Sequence, residues 1–378
     1  MAGIYVHIPF CGQRCIYCDF FSTVGLQHLA GDYVNALLVE ARLRVAELGK
    51  DAVRTLYVGG GTPSTLSAEQ WQRLIAGLRE RFMLSELDEF TVEVNPDDVT
   101  QAYMENLHRL GVNRVSMGVQ SLVDEELRTI NRRHTASQAM DAVRYIHEAG
   151  IDNVSIDLIY GLPGQTLSSW RRSVEGALRL GVQHISAYNL SYEPGTRLWH
   201  LRESGAVHEA DDDLCVDMYH TLVQMLGSAN FEHYEISNFA LPGYYSRHNS
   251  AYWDGTPYLG LGASAHSYDG AVRRYNPGDL HGYIRSLSSG QSVAVAEPSQ
   301  WWERYDEMVM VRLRTARGLD VQAVAEKFGE KASRHLMREA RRHVQGGLLR
   351  QAGNHLVLTA SGVMMSDSVI RDLMWDGQ

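Results

Sequence analysis

Six short runs rich in β-branched and aromatic residues recur along the first half of the chain. They lie at Ile4 to Ile8, Thr55 to Val58, Phe90 to Val94, Arg114 to Val119, Val154 to Ile159 and His184 to Leu190, and their length and composition predict strands. Between them, apolar residues recur at helical spacing over Asp32 to Leu48, Ala68 to Phe82 and Gln101 to Leu110. The same spacing covers Glu125 to Asn131 running into Ser137 to Ala149, and then Ser168 to Leu180. Ser67 with Glu69 and Gln70 after it reads as a helix start, and Gly111, Gly150 and Gly181 fall just past three helix ends. Strand and helix alternating at this length predict an α/β fold with a parallel sheet, open or curved towards a barrel.

The pattern changes near Asp211. A helix with the acidic start Asp211, Asp212 and Asp213 runs towards Ser228, and the strand-like His233 to Ser237 follows, which we read as a seventh unit. A turn-rich stretch from Leu241 to Asp279 comes next, loaded with Gly, Tyr, His and Asn. Helical spacing returns over Trp301 to Arg314, Val321 to Phe328 and Lys331 to Val344, then a hairpin through Leu349 to Leu358 and a last helix from Ala360. The expected division is 1–238 for the βα array with its following unit, 239–298 for a connecting region, and 299–378 for a small winged-helix-like domain.

With 44% hydrophobic and 21% charged residues the chain is globular, and 378 residues allow one extended barrel domain or two to three ordinary ones. Lys and Arg total 35 against 45 Asp and Glu, a net charge of −10, which disfavours nucleic acid as a bulk partner. The basic helix with Arg334, Arg338, Arg341 and Arg342 reads as a solvated face. No apolar run approaches the roughly 18 residues that span a bilayer, and the first ten residues lack the features of a leader. A soluble, cytoplasmic protein is expected.

The unusual residues sit where strands end. PFCGQRCIYC follows the first strand, GGGTP the second and GVQS the fourth; EVNP lies in the third, DLIYGLPGQT in the fifth, and SYEPGT follows the sixth. In a parallel βα array those ends share one rim, so residues scattered over the sequence can converge on one site.

Three of the four cysteines, Cys11, Cys15 and Cys18, fall in one loop as CxxxCxxC. Three thiolates at that spacing can hold three irons of a cubane cluster and leave the fourth without a protein ligand. The alternative is zinc, which wants four protein ligands and here would recruit His7 or His28. Cys215 stands apart and reads as packing.

CxxxCxxC followed by an aromatic residue and Asp19, at the head of a six-unit βα array, resembles the radical S-adenosylmethionine (SAM) superfamily over roughly residues 4 to 200. The resemblance implies a partial (β/α)6 TIM-like barrel and a [4Fe–4S] cluster on Cys11, Cys15 and Cys18. It implies SAM on the open iron, with an electron from the cluster cleaving the sulfonium. It assigns the SAM ammonium to Gly60, Gly61 and Thr62 of Gly59 to Pro63 and to Glu93 of the ExxP pattern ending at Pro96. It assigns the ribose to Gln120 and Asp157, and the SAM carboxylate to Arg132, with Arg133 as its neighbour and competitor. Tyr5, Tyr17 and Ser191 match lesser contacts. Taken alone, the glycine run reads as a tight turn and the last three residues as packing.

YVHIPFC, GGGTP, EVNP, GVQS, DLIYGLPGQT and the C-terminal extension together resemble the branch of that superfamily containing oxygen-independent coproporphyrinogen III oxidase and the HemW haem chaperones. The oxidase pattern is CxxxCxxCxC, whereas Phe20 stands at the fourth position here. The oxidase also carries several tens of residues ahead of its first strand, and Cys11 here follows only ten. Both departures turn the expectation towards the chaperones, and His248, Asn249, Tyr252 and Trp253 form HNxxYW, which looks like their haem-binding motif. The resemblance makes His248 an axial haem ligand, since imidazole binds haem iron, with His266 a weaker second candidate. Without it, a capping histidine and two core aromatics would be the reading. The implied partners are haem-accepting proteins, including membrane haemoproteins approached from their periphery, and an electron donor. The oxidase activity on a tetrapyrrole stays as the alternative.

Overall fold

The computed structural model describes residues 1–49 and 51–376. Strands β1 (Ala2–Ile8), β2 (Val53–Gly60), β3 (Glu89–Val94), β4 (Arg114–Gln120), β5 (Asn153–Tyr160) and β6 (His184–Asn189) lie side by side in sequence order, all parallel. They are the six strands expected. Between them run α1 (Ala30–Arg44), α2 (Ala68–Arg81), α3 (Gln101–Arg109), α4 (Asp124–Thr129), α5 (Ala136–Glu148) and α6 (Leu167–Arg179).

Side chains alternate between the two faces of a strand, and the two faces here differ in chemistry. Ile4, Val6 and Ile8 of β1, Leu56 and Val58 of β2, Val92 and Val94 of β3, and Val115, Met117 and Val119 of β4 are buried in one core with Trp71, Leu74 and Trp170 of the helices. Each such burial contributes roughly 1.5–3 kcal/mol, and together they hold the helical layer on the sheet. The alternate positions carry Tyr5, Tyr57, Glu93, Ser116, Asp157 and Ser186, and most of these line a cavity on the concave side.

Helix boundaries follow local chemistry. Ser67 caps α2 through a reciprocal capping box with Gln70, and Gly111, Gly150 and Gly181 take positive φ past α3, α5 and α6. The helix expected to run from Glu125 into Ala149 is two helices. Asn131 turns the chain at φ +61, and Thr135 restarts it with a capping box on Gln138.

After α7 (Arg197–Glu203) and α8 (Asp212–Ser228), the expected seventh unit is corrected. β7 (Glu232–Glu235) and β8 (Asn238–Ala240) form a tight antiparallel hairpin, and β8 pairs antiparallel with β6. Only two residues separate these strands, which suits a hairpin and leaves no room for a crossover. The seventh parallel strand is β9 (Tyr258–Leu261), in the turn-rich region, and it pairs with β1 on the opposite flank. Ahead of β9 lies α9 (Arg247–Asp254), which carries HNxxYW. Beyond β9, β10 (His266–Tyr268), β11 (Arg273–Tyr275) and β12 (Val295–Glu297) extend the sheet antiparallel to its edge, with α10 (Leu280–Ser288) packed against α1.

The C-terminal part has a separate core. Helices α11 (Trp301–Leu313), α12 (Val321–Phe328) and α13 (Glu330–Gln345) precede an antiparallel hairpin of Leu349–Ala352 and His355–Leu358. Tyr305, Val309, Leu336, Leu356 and Leu373 pack together inside it. Among the described residues, no helix is long and apolar enough to cross a membrane.

Candidate functional site

The parallel strands' C-terminal ends open into a cavity of about 420 Å³, within the range of small-molecule sites. Cys11, Cys15, Tyr17, Cys18, Gly60, Gly61, Thr62, Glu93, Gln120, Arg132, Asp157 and Ser191 all line it. Residues 180 positions apart in sequence thus meet on one rim. Tyr5 and His248 do not line it.

The cysteine loop leaves β1 through a short pairing of Phe10–Cys11 with Thr23–Val24. All three thiols are free; Cys11 is buried, and Cys15 and Cys18 are half-buried. Arg132 donates to the Cys15 sulfur at 3.4 Å, and Thr62 Oγ1 to the Cys11 sulfur at 3.5 Å. Burial pushes the Cys18 thiol up to about 11, so metal binding has to draw its proton off. His7, a candidate fourth zinc ligand, has both ring nitrogens engaged, with the Tyr5 hydroxyl at 3.0 Å and the Phe21 carbonyl at 2.9 Å. His28 lies outside the cavity lining. Among the described residues, no three Cys, His, Asp or Glu side chains converge as single-ion ligands.

The glycines bring backbone up against the site. A Cβ on Gly61 would stand 2.9 Å from the carbonyl oxygens of Ile8 and Phe10 and 3.1 Å from the Cys11 sulfur. Gly60 takes φ +109, and a Cβ there would strike the His7 ring at 2.5 Å. Its N–H donates to Glu93 Oε2 at 3.0 Å, while the Tyr57 hydroxyl donates to Glu93 Oε1 at 2.6 Å. Burial raises the Glu93 carboxyl to about 7 despite those two donors. Asp157 is raised to about 6, again chiefly by burial, with the Ser186 hydroxyl, Arg114 and Arg132 pulling it down. Two carboxyl groups poised near neutrality in one cavity suit a cationic ligand.

Gln120 carries backbone strain. Its φ is +67, and the β4–β5 register shifts between Gly118 and Gln120. A bulge re-aims a side chain, and a non-glycine residue in this region costs on the order of 1–3 kcal/mol. Here it turns Gln120 into the cavity.

Arg132 and Arg133 part company. Arg132 points inward, with Asn95 Oδ1 at 3.1 Å, the Gly118 carbonyl and the Cys15 sulfur as partners, and its buried Nε has none among the described residues. Arg133 turns outward to Asp97 and Asp98 at 2.7 and 3.0 Å.

The structure places His248 outside the cavity lining, in a packed setting. It lies beneath the cavity floor, buried, with Nδ1 on Thr55 Oγ1 and Nε2 on the Tyr252 hydroxyl, each at 2.9 Å. Its ring stacks on Tyr57 at 5.2 Å, and burial, then the Arg114 charge, lowers it to about 3. Neither nitrogen is open to a haem iron in this arrangement. Glu89 receives the backbone N–H groups of Arg247 and His248 at 2.7 and 3.0 Å, fixing the start of α9 under the barrel. His266, by contrast, is exposed on β10.

Sequence reasoning missed Tyr57, Asn95, Ser116, Gly118, Ser186, Tyr188 and Asn189, which also line the cavity, and Asn249 of HNxxYW joins them there. The period-two alternation flags several of them: Tyr57 precedes Gly59 by two positions, Asn95 follows Glu93 by two, and Gly118 precedes Gln120 by two. The basic helix, expected to be a solvated face, carries ion pairs on it: Arg338 meets Glu339 and Asp376, and Arg342 meets Asp372.

With this geometry in place, likeness to known proteins decides the family. Residues 5–176 match the radical SAM superfamily and residues 301–365 the HemN C-terminal domain. The chain is 34% identical to heme chaperone HemW of Bacillus subtilis over 98% of both chains. It is 35% identical to that of Mycobacterium tuberculosis H37Rv, covering 98% of this chain and 94% of the relative. The chain belongs to the HemW family. A HemW of Lactococcus lactis is 37% identical over 86% of this chain and 84% of its own. The solved structure of HemN, the coproporphyrinogen III oxidase of Escherichia coli, superposes at a TM-score of 0.84 over 99% of this chain and 90% of that one, at 24% identity. That likeness concerns the fold, which this chain shares with HemN over nearly its whole length.

Proposed function

We propose that this chain is a haem chaperone. It holds a [4Fe–4S] cluster and SAM in the rim cavity, binds haem, and hands haem to acceptor proteins. What supports the reading is the match of nearly the full chain to proteins named heme chaperone HemW. Phe20, at the place of the oxidase's fourth cysteine, is exposed beside the cavity.

The residues fit the implied cofactors. Cys11, Cys15 and Cys18 would hold the cluster from one wall, and the buried Arg132 with its unpartnered Nε would meet the SAM carboxylate. Glu93, with the backbone of Gly60 and Gly61 and the Thr62 side chain, would face the ammonium. Gln120 and Asp157 would take the ribose hydroxyls, and Tyr17 and Ser191 would flank the rest. Tyr5 would act from one layer below, by orienting His7 under Gly60. A bound cluster with SAM supplies one-electron reduction of the sulfonium. The chain's own part is to desolvate the site, fix the ligand's charged groups between Glu93 and Arg132, and keep water off that axis.

The test is an anaerobic preparation assayed for iron, sulfide, SAM, haem and porphyrin. The expected outcome is four irons per chain, SAM bound at the cluster, about one haem taken up and passed to an apo-haemoprotein, and no protoporphyrinogen from coproporphyrinogen. Porphyrin turnover without haem transfer would replace this reading with the oxidase one.

A further inference from the structure

Thr62 and Asn95 stand at matching places beyond the neighbouring strands β2 and β3. Each precedes a proline and opens a single-turn helix, Pro63–Thr65 and Pro96–Asp98. Threonine and asparagine at such a position ordinarily spend the side chain on the first N–H groups of the helix. Neither does so here. The two side chains turn to each other on the cavity wall instead, with Asn95 Nδ2 donating to Thr62 Oγ1 at 3.2 Å.

The partners on either side fix the direction of that bond. A guanidinium can only donate, and Arg132 Nη2 meets Asn95 Oδ1 at 3.1 Å. The amide must therefore show its oxygen to Arg132 and its N–H to Thr62. With Oγ1 already accepting, the single hydroxyl proton of the buried Thr62 goes to the Cys11 sulfur, 3.5 Å away. Arg132 Nη1 meets the Cys15 sulfur at 3.4 Å. One guanidinium thus directs a donor at two of the three cysteines, at Cys15 by itself and at Cys11 through Asn95 and Thr62.

We propose that Asn95 is a positioning residue that couples the SAM site to the cluster. It holds the Arg132 guanidinium in place for the SAM carboxylate and aims the Thr62 proton at the Cys11 sulfur. The assignment rests on the cluster-and-SAM reading of the rim cavity. A donor to cysteine sulfur favours the more negative, reduced cluster and so raises its potential. Asn95 would set that potential through Thr62, without touching the cluster.

The test uses the full-length, reconstituted chain. The midpoint potential of the cluster is read without SAM, by a redox titration followed with electron paramagnetic resonance, and SAM affinity by equilibrium dialysis. Asn95→Ala and Thr62→Val should each keep the cluster and lower its potential. The double variant should fall short of the sum of the two single shifts, because both changes break one chain. Asn95→Ala should also weaken SAM about fivefold, the worth of one hydrogen bond, and add little to the loss caused by Arg132→Leu. Asn95→Leu, close to asparagine in size, is read in the same way should the alanine variant not fold.

A wild type that takes up no cluster or no SAM overturns the rim reading, and this role with it. A loaded wild type whose Asn95→Ala variant keeps the wild-type potential overturns the role of Asn95 alone. So does a double variant whose shift equals the sum of the single ones, or loss of the cluster in both Asn95 variants.

Discussion

The two ends of the barrel use the same residue types to opposite ends. At the C-terminal rim, Glu93, Asp157 and Arg132 face a cavity, and the buried Nε of Arg132 has no partner among the described residues. At the floor, Glu89, His248, Thr55 and Tyr252 spend their hydrogen bonds on one another. Polar residues inside a barrel are therefore not a site by themselves. What distinguishes the ends is access: the rim groups face open space, whereas the floor groups are packed against one another.

Replacing residues at each end should break the molecule differently. Cys11→Ser has the largest expected effect, complete loss of the cluster in iron and sulfide analysis with the fold intact by circular dichroism. Next, Arg132→Leu should weaken SAM binding about 100-fold in equilibrium dialysis, since it removes a buried charge, whereas Arg133→Leu should change it by less than about threefold. At the floor, His248→Ala leaves Thr55 and Tyr252 without their shared partner and opens a cavity. It should cost about 2–4 kcal/mol, read as a fall of several degrees in Tm, with SAM affinity little changed.

The smallest effect is in pH. Glu93 sits near 7 when the site is empty, and an ammonium favours its ionised form. SAM should therefore bind most tightly above about pH 7.5 and lose affinity as pH falls through 7, by up to about tenfold per unit. Glu93→Gln should flatten that profile. A variant that keeps the full pH dependence would assign it to Asp157, the other raised carboxyl group.

The rim was legible in the sequence because its chemistry interrupts a regular pattern: a carboxylate in an apolar strand at Asp157, glycines after Val58, three cysteines after Ile8. The six strands were legible for the same reason, being short β-branched runs with an apolar outer face. β9 was not. Gly260 in it and Gly262 just past it read as turn signals, yet they sit there for close approach: a Cβ on Gly260 would meet the His266 carbonyl oxygen, and one on Gly262 would reach the Tyr33 hydroxyl at 2.5 Å. The bulge that turns Gln120 inward depends on pairing with β5 and leaves no local trace. HNxxYW shows the limit from the other side. Its residue types suit a haem ligand, but whether His248 is open depends on Thr55, which lies 193 positions away and meets it only in the fold.

The account stands on the rim cavity as the one place where the three cysteines and the SAM-facing residues meet, and SAM binding with and without the cluster tests it most directly. Radiolabelled SAM is titrated into the anaerobically reconstituted chain and into Cys11→Ser, and the SAM retained is counted. The prediction is about one SAM per cluster-loaded chain and a loss of binding in the variant. Equal SAM binding by both would contradict the account.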